Sequence, residues 1–255
     1  MDYDNTKCDA CVVNTLSLFD RRPVQAVMNG YEMIKLAPAG GEFIKDAGTV
    51  EIDFPVVQTP SYYDLSDTTL HLSFMTKTIA NGDPNAAATK VKGSFANLPT
   101  SSFFSDVRLS IYDKPVEGGG NTYHYQSMIN TLLQYSADYK KEVLAVSGYY
   151  DEDPTKADEY IGLEKNPSYE KKRLIMHGGE HFIGTINLGL FRQQLFVPGF
   201  VKMKLTFTKA LNEFLITNID VTDKAPKLKI ELTRLCIYTR VVDVVPSVFN
   251  AHVQG

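Results

Sequence analysis

The sequence has no tryptophan and only three cysteines, Cys8, Cys11 and Cys236, in 255 residues. Three thiols cannot build a disulfide framework. No apolar run approaches the roughly 20 residues of a membrane-spanning helix. The acidic and polar first residues also lack the basic start and apolar core of a signal peptide. We therefore expect a soluble, reduced protein that is made inside the cell and is not inserted in a membrane.

The chain has no excess of charge of either sign. It contains 26 Lys and Arg against 30 Asp and Glu, a formal net charge of -4. A protein that wraps nucleic acid or coats an anionic membrane needs a clear basic patch. This balance therefore predicts no specific binding of nucleic acid.

Catalytic and metal-binding motifs are scarce. The segment His177–His181 reads His-Gly-Gly-Glu-His and matches the string of one class of zinc peptidase, in which both histidines share a helix face. Two adjacent glycines disfavour a helix, and the residues that follow alternate like a strand. We therefore interpret the segment as a turn that enters a strand.

The cysteines do not improve the case for a metal site. Cys8 and Cys11 have the spacing of a metal knuckle, but two further ligands are missing nearby, because the nearest histidine is His71. Two incidental thiols are the simpler interpretation, and Cys236 fits a small core residue. There is no nucleophile elbow and no phosphate-binding glycine loop. We expect no catalytic residues, no metal and no cofactor, and hence no enzyme.

Strand patterns dominate the chain. Apolar and polar residues alternate, as in half-buried strands, with Val107, Leu109 and Ile111 as one example. A phase shift late in the last segment predicts a bulge. Eight candidate strands result, at Tyr31–Leu36, Thr49–Phe54, Leu70–Phe74, Phe103–Tyr112, Phe182–Leu188, Val201–Phe207, Phe214–Ile216 and Lys227–Val241.

Helices do not alternate regularly with the strands along the chain, and this disfavours a parallel α/β fold. We predict an all-β fold, an eight-stranded antiparallel jelly-roll sandwich with one or two helices in a long inter-strand connection. Residues 1–30 are interpreted as an N-terminal arm, 31–245 as the barrel, and 246–255 as a segment that leads toward a possible second barrel. The segment Asn81–Pro99 is interpreted as a long surface loop.

One helical pattern follows the central strand. After the turn at Lys114–Gly120, apolar residues recur at helical spacing, with Asn121 or Thr122 as N-cap. They are Tyr125, Met128, Ile129, Leu132 and Leu133. A single helix cannot bury such a stripe alone, so we expect Leu132 and Leu133 to pack inward against the sheet.

A second helical segment follows directly. Ser136 is its expected N-cap, and Gly148 its end. Its apolar residues are Tyr139, Val143 and Val146.

Three stretches resemble one protein family. The run from Phe103, FFSDVRLSIYDKPVEGGGNTYHYQSMINTLLQYSADYKKEVL, is similar to the strand-helix unit of hexon-like double jelly-roll major capsid proteins of Polinton (Maverick) elements and adintoviruses. The resemblance lies in the start at Asn121–Tyr125, then Leu132-Leu133 with Tyr135, then Asp138-x-Lys140-Lys141. The stretches Leu188–Phe214 and Pro226–His252 also resemble that family, the latter at the end of its first barrel.

The resemblance implies a structural capsid protein of a virus or virus-derived transposon. It implies upright barrels in trimeric capsomers of pseudo-sixfold outline, with other capsid proteins such as a penton as partners. The location would be the virion capsid, after synthesis in the host cytoplasm, with assembly in the cytoplasm or the nucleus left open. A double jelly roll has two barrels, so we expect this chain to be either the first, N-terminal barrel of a longer protein or a relative that works with one barrel.

Aromatic residues on loops and at the helix start are the candidates for the assembly interface. They are Tyr123, Tyr125, Tyr149 and Tyr150, with packing inside the subunit as the alternative for each. We expect a mutation of Leu132 to unfold the domain and a mutation of Tyr123 to spare folding and weaken assembly.

A second hypothesis keeps the jelly roll but not the capsid. It is a non-enzymatic module that binds carbohydrate or a host surface. Such a module would expose convergent aromatic and acidic side chains on one loop face, and Tyr62, Tyr63 and Asp64 are the candidates.

Overall fold

Alternating side chains build two antiparallel sheets in the computed structural model of this chain. The structure describes residues 27–44, 48–57, 59–79, 94–153, 155, 168, 171–172, 181–217 and 227–254. The strands are β1 (Met28–Leu36), β2 (Thr49–Asp53), β3 (Ser61–Ile79), β4 (Ser94–Phe95), β5 (Phe104–Ile111), β6 (Lys114–Glu117), β7 (His181–Thr185), β8 (Val197–Pro198), β9 (Met203–Lys209), β10 (Ile216–Thr217) and β11 (Lys227–Val244).

Helices lie mainly in the connections between these strands. They are α1 (Pro99–Ser102), α2 (Tyr123–Gln134), α3 (Ala137–Glu142), α4 (Asn212–Leu215) and α5 (Pro246–Gln254), with 3-10 turns at Leu144–Ser147 and Gly189–Phe191. Within the described ranges, none of the helices is long and apolar enough to cross a membrane.

The strands form a jelly-roll sandwich. One sheet has the order β1-β11-β3-β7, with the short β8 beside β3, and the other has the order β2-β9-β5-β6. All of these neighbours pair antiparallel. The two four-strand paths confirm the predicted all-β class and antiparallel sandwich, and seven of their eight strands were predicted as strands.

One of the eight main strands was not predicted, and one predicted strand is not among them. The segment Lys114–Glu117, predicted as a turn, pairs with β5 as strand β6. The predicted strand at Phe214–Ile216 is instead the end of helix α4 followed by the two-residue β10. Two alternating positions are too few to distinguish a strand from one helical turn.

The core fills the space between the sheets with the inward positions of each strand. Val50 and Ile52 of β2, and Val107 and Leu109 of β5, are buried, while their polar neighbours face outward. Aromatic rings pack on one another within this core. The Phe74 ring stacks on those of Phe103 and Phe182 with centroids 5.6 and 5.5 Å apart, a spacing typical of favourable ring pairs.

Strand β11 is irregular at two points, as its sequence predicts. Its register against β3 shifts between Leu232 and Arg234 and again between Tyr238 and Arg240. Bulges of this kind re-aim side chains along a long strand. Cys236 lies between them as a buried free thiol, which confirms the interpretation of a core residue.

The ends of the predicted loop and arm differ from expectation. Within the predicted loop at 81–99, Ser94–Phe95 forms β4 and both residues are buried, while residues 81–93 lie outside the described part. Within the predicted arm, residues 1–26 lie outside the described part, and residues from Met28 onward already belong to β1.

The last helix, α5, contacts strand β3. The Tyr62 hydroxyl lies 2.7 Å from His252 Nδ1 of α5.

The connection between β6 and β7 carries α2 and α3. It begins at Gly118, whose φ of 96° is unfavourable for other residues, and Asp106 Oδ1 accepts a hydrogen bond of 2.7 Å from the Gly119 N–H. Ser136 caps α3 by accepting a hydrogen bond from the Tyr139 N–H, and Gly148 ends the following turn with a φ of 79°. Both predictions for α3 are confirmed.

Candidate assembly surface

Helix α2 buries its polar side. Tyr123, His124, Ser127 and Thr131 are the buried residues of the helix. The Tyr123 hydroxyl accepts a hydrogen bond of 3.0 Å from the Asn187 N–H, and the Thr131 hydroxyl donates one of 2.8 Å to the Ser127 carbonyl. The neighbouring α1 is itself entirely buried and carries Thr and Ser residues. Small hydroxyl side chains therefore lie on the buried face of α2, which packs against α1 and strand β5.

The apolar stripe of α2 faces outward, so the predicted inward packing of Leu132 and Leu133 is wrong. Leu132 is 50% exposed and Leu133 is 80% exposed, and Tyr125 and Ile129 are each 56% exposed. The helical period identifies an apolar face but does not say which way that face points. Here the face with His124, Ser127 and Thr131 is the one that is buried.

The apolar surface continues beyond α2. Tyr139, Val143 and Val146 are each between 41% and 54% exposed on α3 and the turn that follows it. We call the whole area the α2–α3 surface. Its members are Tyr125, Ile129, Leu132, Leu133, Tyr139, Val143 and Val146.

Charge is missing from the centre of the α2–α3 surface. The twelve residues of α2, YHYQSMINTLLQ, include no Asp, Glu, Lys or Arg. Exposed helices of soluble monomers normally carry such residues on their outer face. The exposed apolar residues of α2 and the absence of charge from this helix are together typical of protein interfaces, whereas α3 carries Asp138, Lys140, Lys141 and Glu142.

A cleft of 540 Å³ lies at the start of α2 and extends to α4. His124 and Tyr125 form one wall, and Leu211 and Phe214 form another. The rings of Tyr125 and Phe214 meet edge to face with centroids 5.4 Å apart. Leu211 is 76% exposed at the rim. The cleft adjoins Tyr125 of the α2–α3 surface and combines these rings with polar lining residues that include Lys209.

The four tyrosines predicted at an interface occupy different environments. Tyr123 and Tyr149 are buried within the subunit, Tyr150 is half-buried, and Tyr125 is exposed on the α2–α3 surface. The Tyr150 N–H donates a hydrogen bond of 2.8 Å to the Asn97 side chain. Tyr125 is thus the one of the four that combines an exposed ring with a neighbouring apolar surface.

The residues of the carbohydrate-binding hypothesis are not exposed. Tyr62, Tyr63 and Asp64 are each at most 7% exposed. Asp64 pairs with Arg240, and the Tyr63 hydroxyl donates to the Pro55 carbonyl. Burial raises the pKa of Tyr63 to about 12. All three positions belong to β3, which begins at Ser61. The alternation in the sequence predicted only its part at Leu70–Phe74.

His181 lies in a strand and not in a helix. It is the first residue of β7, and His177 to Glu180 lie outside the described residues. His181 Nε2 lies 3.1 Å from His71 Nδ1, and His181 Nδ1 lies 2.9 Å from the Ser73 hydroxyl. Across the described ranges there is no group of three or more His, Cys, Asp or Glu residues that could hold a metal ion.

The histidine pair predicts a dependence of stability on pH. Burial lowers the pKa of both His71 and His181, and their mutual repulsion and the charge of Arg234 lower the pKa of His71 further. A histidine with a lowered folded pKa stabilises the fold above its unfolded pKa of about 6.5 and loses that contribution as pH falls. The urea concentration at the unfolding midpoint should therefore decrease when the pH is lowered from about 7.5 to about 5.0. The decrease should be smaller in His181→Gln. Equal pH dependence in both proteins would contradict this account.

The fold is similar to that of chains in virus capsids. A chain of the Sputnik virophage, solved by cryo-EM, matches with a TM-score of 0.60 and 11% identity, over 92% of this chain and 52% of that chain. The Faustovirus major capsid protein matches with a TM-score of 0.51 and 9% identity, over 92% and 57%. A chain of the PBCV-1 virus capsid matches with a TM-score of 0.50 and 12% identity, over 91% and 46%.

These matches establish the fold. This chain spans about half the length of each of the three chains. No protein-family model and no curated protein matches the sequence. The chain is a jelly-roll domain whose neighbours in fold are chains of virus capsids.

Proposed function

We propose that this chain is a structural, non-enzymatic subunit of a viral or virus-derived capsid, and that it assembles through the α2–α3 surface. The observation that carries the proposal is the exposed apolar side of α2, a helix without a charged residue on a fold that recurs in capsid chains. An assembling subunit needs such a surface, because apolar burial at its contacts is what holds the assembly together.

The family resemblance supports the finer details of this proposal. The resembling family comprises double jelly-roll capsid proteins of Polinton elements and adintoviruses, with capsomers of pseudo-sixfold outline. This chain corresponds to about half of each matched chain. A capsomer with six barrels would contain three copies if each chain carries two barrels, and six copies if each carries one. Other capsid proteins, including a penton, would be its partners in the virion.

The carbohydrate-binding alternative has no comparable support. Its candidates Tyr62 and Asp64 are buried and already make hydrogen bonds within the subunit. The capsid proposal is favoured by an exposed surface, whereas this alternative relied on side chains that are not accessible.

Concentration-dependent sizing tests the proposal. Sedimentation velocity of the purified chain, from about 1 to 100 µM, should show a monomer that converts to a discrete oligomer, because interfaces of standard size reach micromolar affinity or better. A chain that stays monomeric across this range and binds an array of glycans would overturn the proposal in favour of the alternative.

A further inference from the structure

Two histidines meet on the outer face of one sheet. His71 belongs to β3 and His181 to β7, which pair antiparallel. Leu70 and Leu72, on either side of His71, are buried, so the His71 ring lies on the opposite, outer face. His71 Nδ1 and His181 Nε2 are 3.1 Å apart. The rings are tilted by 50° with centroids 5.2 Å apart, so the contact is between two nitrogens and not between stacked faces.

Hydroxyl groups hold the outer nitrogens of both rings. Ser73 Oγ lies 2.9 Å from His181 Nδ1, and Thr69 Oγ1 lies 3.4 Å from His71 Nε2. When each hydroxyl oxygen accepts from the ring N–H beside it, the lone pairs of His71 Nδ1 and His181 Nε2 face each other. Histidines that bind metal ions generally donate their other ring N–H in this way, which fixes the tautomer and the orientation of the ring.

The distance between the two inner nitrogens fits one transition-metal ion. Two nitrogens 3.1 Å apart, each bonded to Zn²⁺ at about 2.0–2.1 Å, subtend about 95–100° at the ion. This angle lies between the octahedral and the tetrahedral values, and imidazole is a preferred ligand of Zn²⁺ and Cu²⁺. The described part of the chain supplies no third His, Cys, Asp or Glu ligand. Water would therefore fill the other positions at this exposed pair.

Both imidazoles are neutral ligands at pH 7. Burial lowers the pKa of both histidines, and for His71 the charges of His181 and Arg234 lower the pKa further. In the metal-free pair the Nδ1–H of His71 lies between the rings. Binding moves this proton to Nε2 of the same ring, where the Thr69 hydroxyl accepts it. The ion therefore replaces a shared proton without a net release of protons.

Three charged groups act on the pair. They are Arg234, Lys35 and Glu42. The Glu42 carboxylate pairs with both Lys35 and Arg234, which leaves one positive charge in excess. This charge opposes a cation, so we expect weaker binding than at structural zinc sites with four protein ligands. Cu²⁺ should bind more tightly than Zn²⁺, as the Irving–Williams order gives.

Strand β7 is the place where the long connection with α2 and α3 returns to the sheet. It pairs with β3 over the five residues His181–Thr185 only. The Ser147 hydroxyl, in the turn after α3, donates a hydrogen bond of 2.7 Å to the Ile183 carbonyl. An ion held by one histidine from each strand would link β7 to β3. It would stabilise the folded state, because the unfolded chain does not hold these two ligands together.

We propose that His71 and His181 form a bidentate site for a divalent transition-metal ion, Zn²⁺ or Cu²⁺, which ties β7 to β3. The ligand atoms are His71 Nδ1 and His181 Nε2, and Ser73 is a positioning residue. The site is structural and not catalytic. It does not depend on the proposed capsid function.

Metal titration of the full chain tests the ligands. Calorimetry should show one Zn²⁺ per chain, with binding weakened at least 10-fold, and by up to about 100-fold, in His71→Gln and in His181→Gln, and about 10-fold in Ser73→Ala. His252→Gln, which changes a histidine of α5, is the matched control and should bind as the wild type does. The Cu²⁺ electron paramagnetic resonance spectrum of the wild type should show coupling to two imidazole nitrogens.

All of these proteins should carry Cys8→Ser and Cys11→Ser, so that this pair of thiols does not take up the metal. Circular dichroism checks that each variant is folded. Zinc binding by folded His71→Gln with wild-type affinity, or a Cu²⁺ spectrum without two imidazole nitrogens, would overturn the site. Both results would leave the capsid proposal in place, since sizing tests that proposal separately.

Amide hydrogen exchange tests the link between the strands. At free Zn²⁺ of about ten times the dissociation constant, exchange in His181–Thr185 should slow about 10-fold in the wild type. It should not change in His71→Gln, and exchange in Thr49–Asp53 of the other sheet should not change in either protein. Zinc that binds without slowing exchange in His181–Thr185 would contradict the link between β7 and β3.

Discussion

Leu133→Asp should prevent assembly and leave the subunit folded. Leu133 is 80% exposed and lies at the end of a helix without charged residues. In the monomer the new carboxylate is solvated, so the free energy of unfolding should fall by only about 1 kcal/mol, the cost of Asp near a helix C-terminus. In an assembly it would be buried against apolar side chains, which costs about 2 kcal/mol or more at each contact. Sedimentation velocity and urea unfolding measure the two effects.

The control for this variant is Leu195→Asp, which adds the same charge at a residue 73% exposed. It should assemble as the wild type does. If Leu133→Asp unfolds the chain, the outward orientation of α2 is wrong. If it assembles normally, the α2–α3 surface is not the interface.

Gly118→Ala should destabilise the fold by at least about 2 kcal/mol. Gly118 has a φ of 96°, and a Cβ there would lie 2.3 Å from the Val107 carbonyl oxygen and 2.7 Å from Arg108 Cα. Both atoms belong to the backbone of β5, so the start of the β6–β7 connection would have to move away from this strand. That movement would disturb the hydrogen bond from the Gly119 N–H to Asp106, which positions the start of α2.

Gly40→Ala is the matched control for this substitution. A Cβ at Gly40 meets no atom within 4 Å, so its unfolding free energy should change by about 0.5 kcal/mol or less. Chemical denaturation of both variants measures the difference. Equal stability of the two variants would show that the close approach of Gly118 to β5 is not maintained in solution.

Most of the fold could be predicted from the sequence, because strand alternation reports burial directly. The pattern of Val107 and Leu109 in β5, and of Val50 and Ile52 in β2, predicted both strands and their buried faces. The phase shift in β11 predicted its bulges. Strand β6 was missed because Lys114–Glu117 contains Pro115 and has no buried side chain. It is an edge strand, where a proline is tolerated.

The candidate site was harder to predict, because tertiary packing decides whether the apolar stripe of α2 faces the core or the solvent. The stripe with Leu132 and Leu133 was found correctly, but only the burial of the other face of α2 shows that this stripe faces outward. The buried residues Ser127 and Thr131 give one signal in the sequence, since small hydroxyl residues at helical spacing can pack closely against another element.

Electron microscopy of the purified full chain at assembling concentration tests the central claim most directly. We predict closed rings of six barrels, one from each copy, with the α2–α3 surface of every copy covered by its neighbour. The same preparation of Leu133→Asp should contain single barrels only. Wild-type protein that remains as single barrels at every concentration, or rings whose α2–α3 surfaces face solvent, would contradict the account.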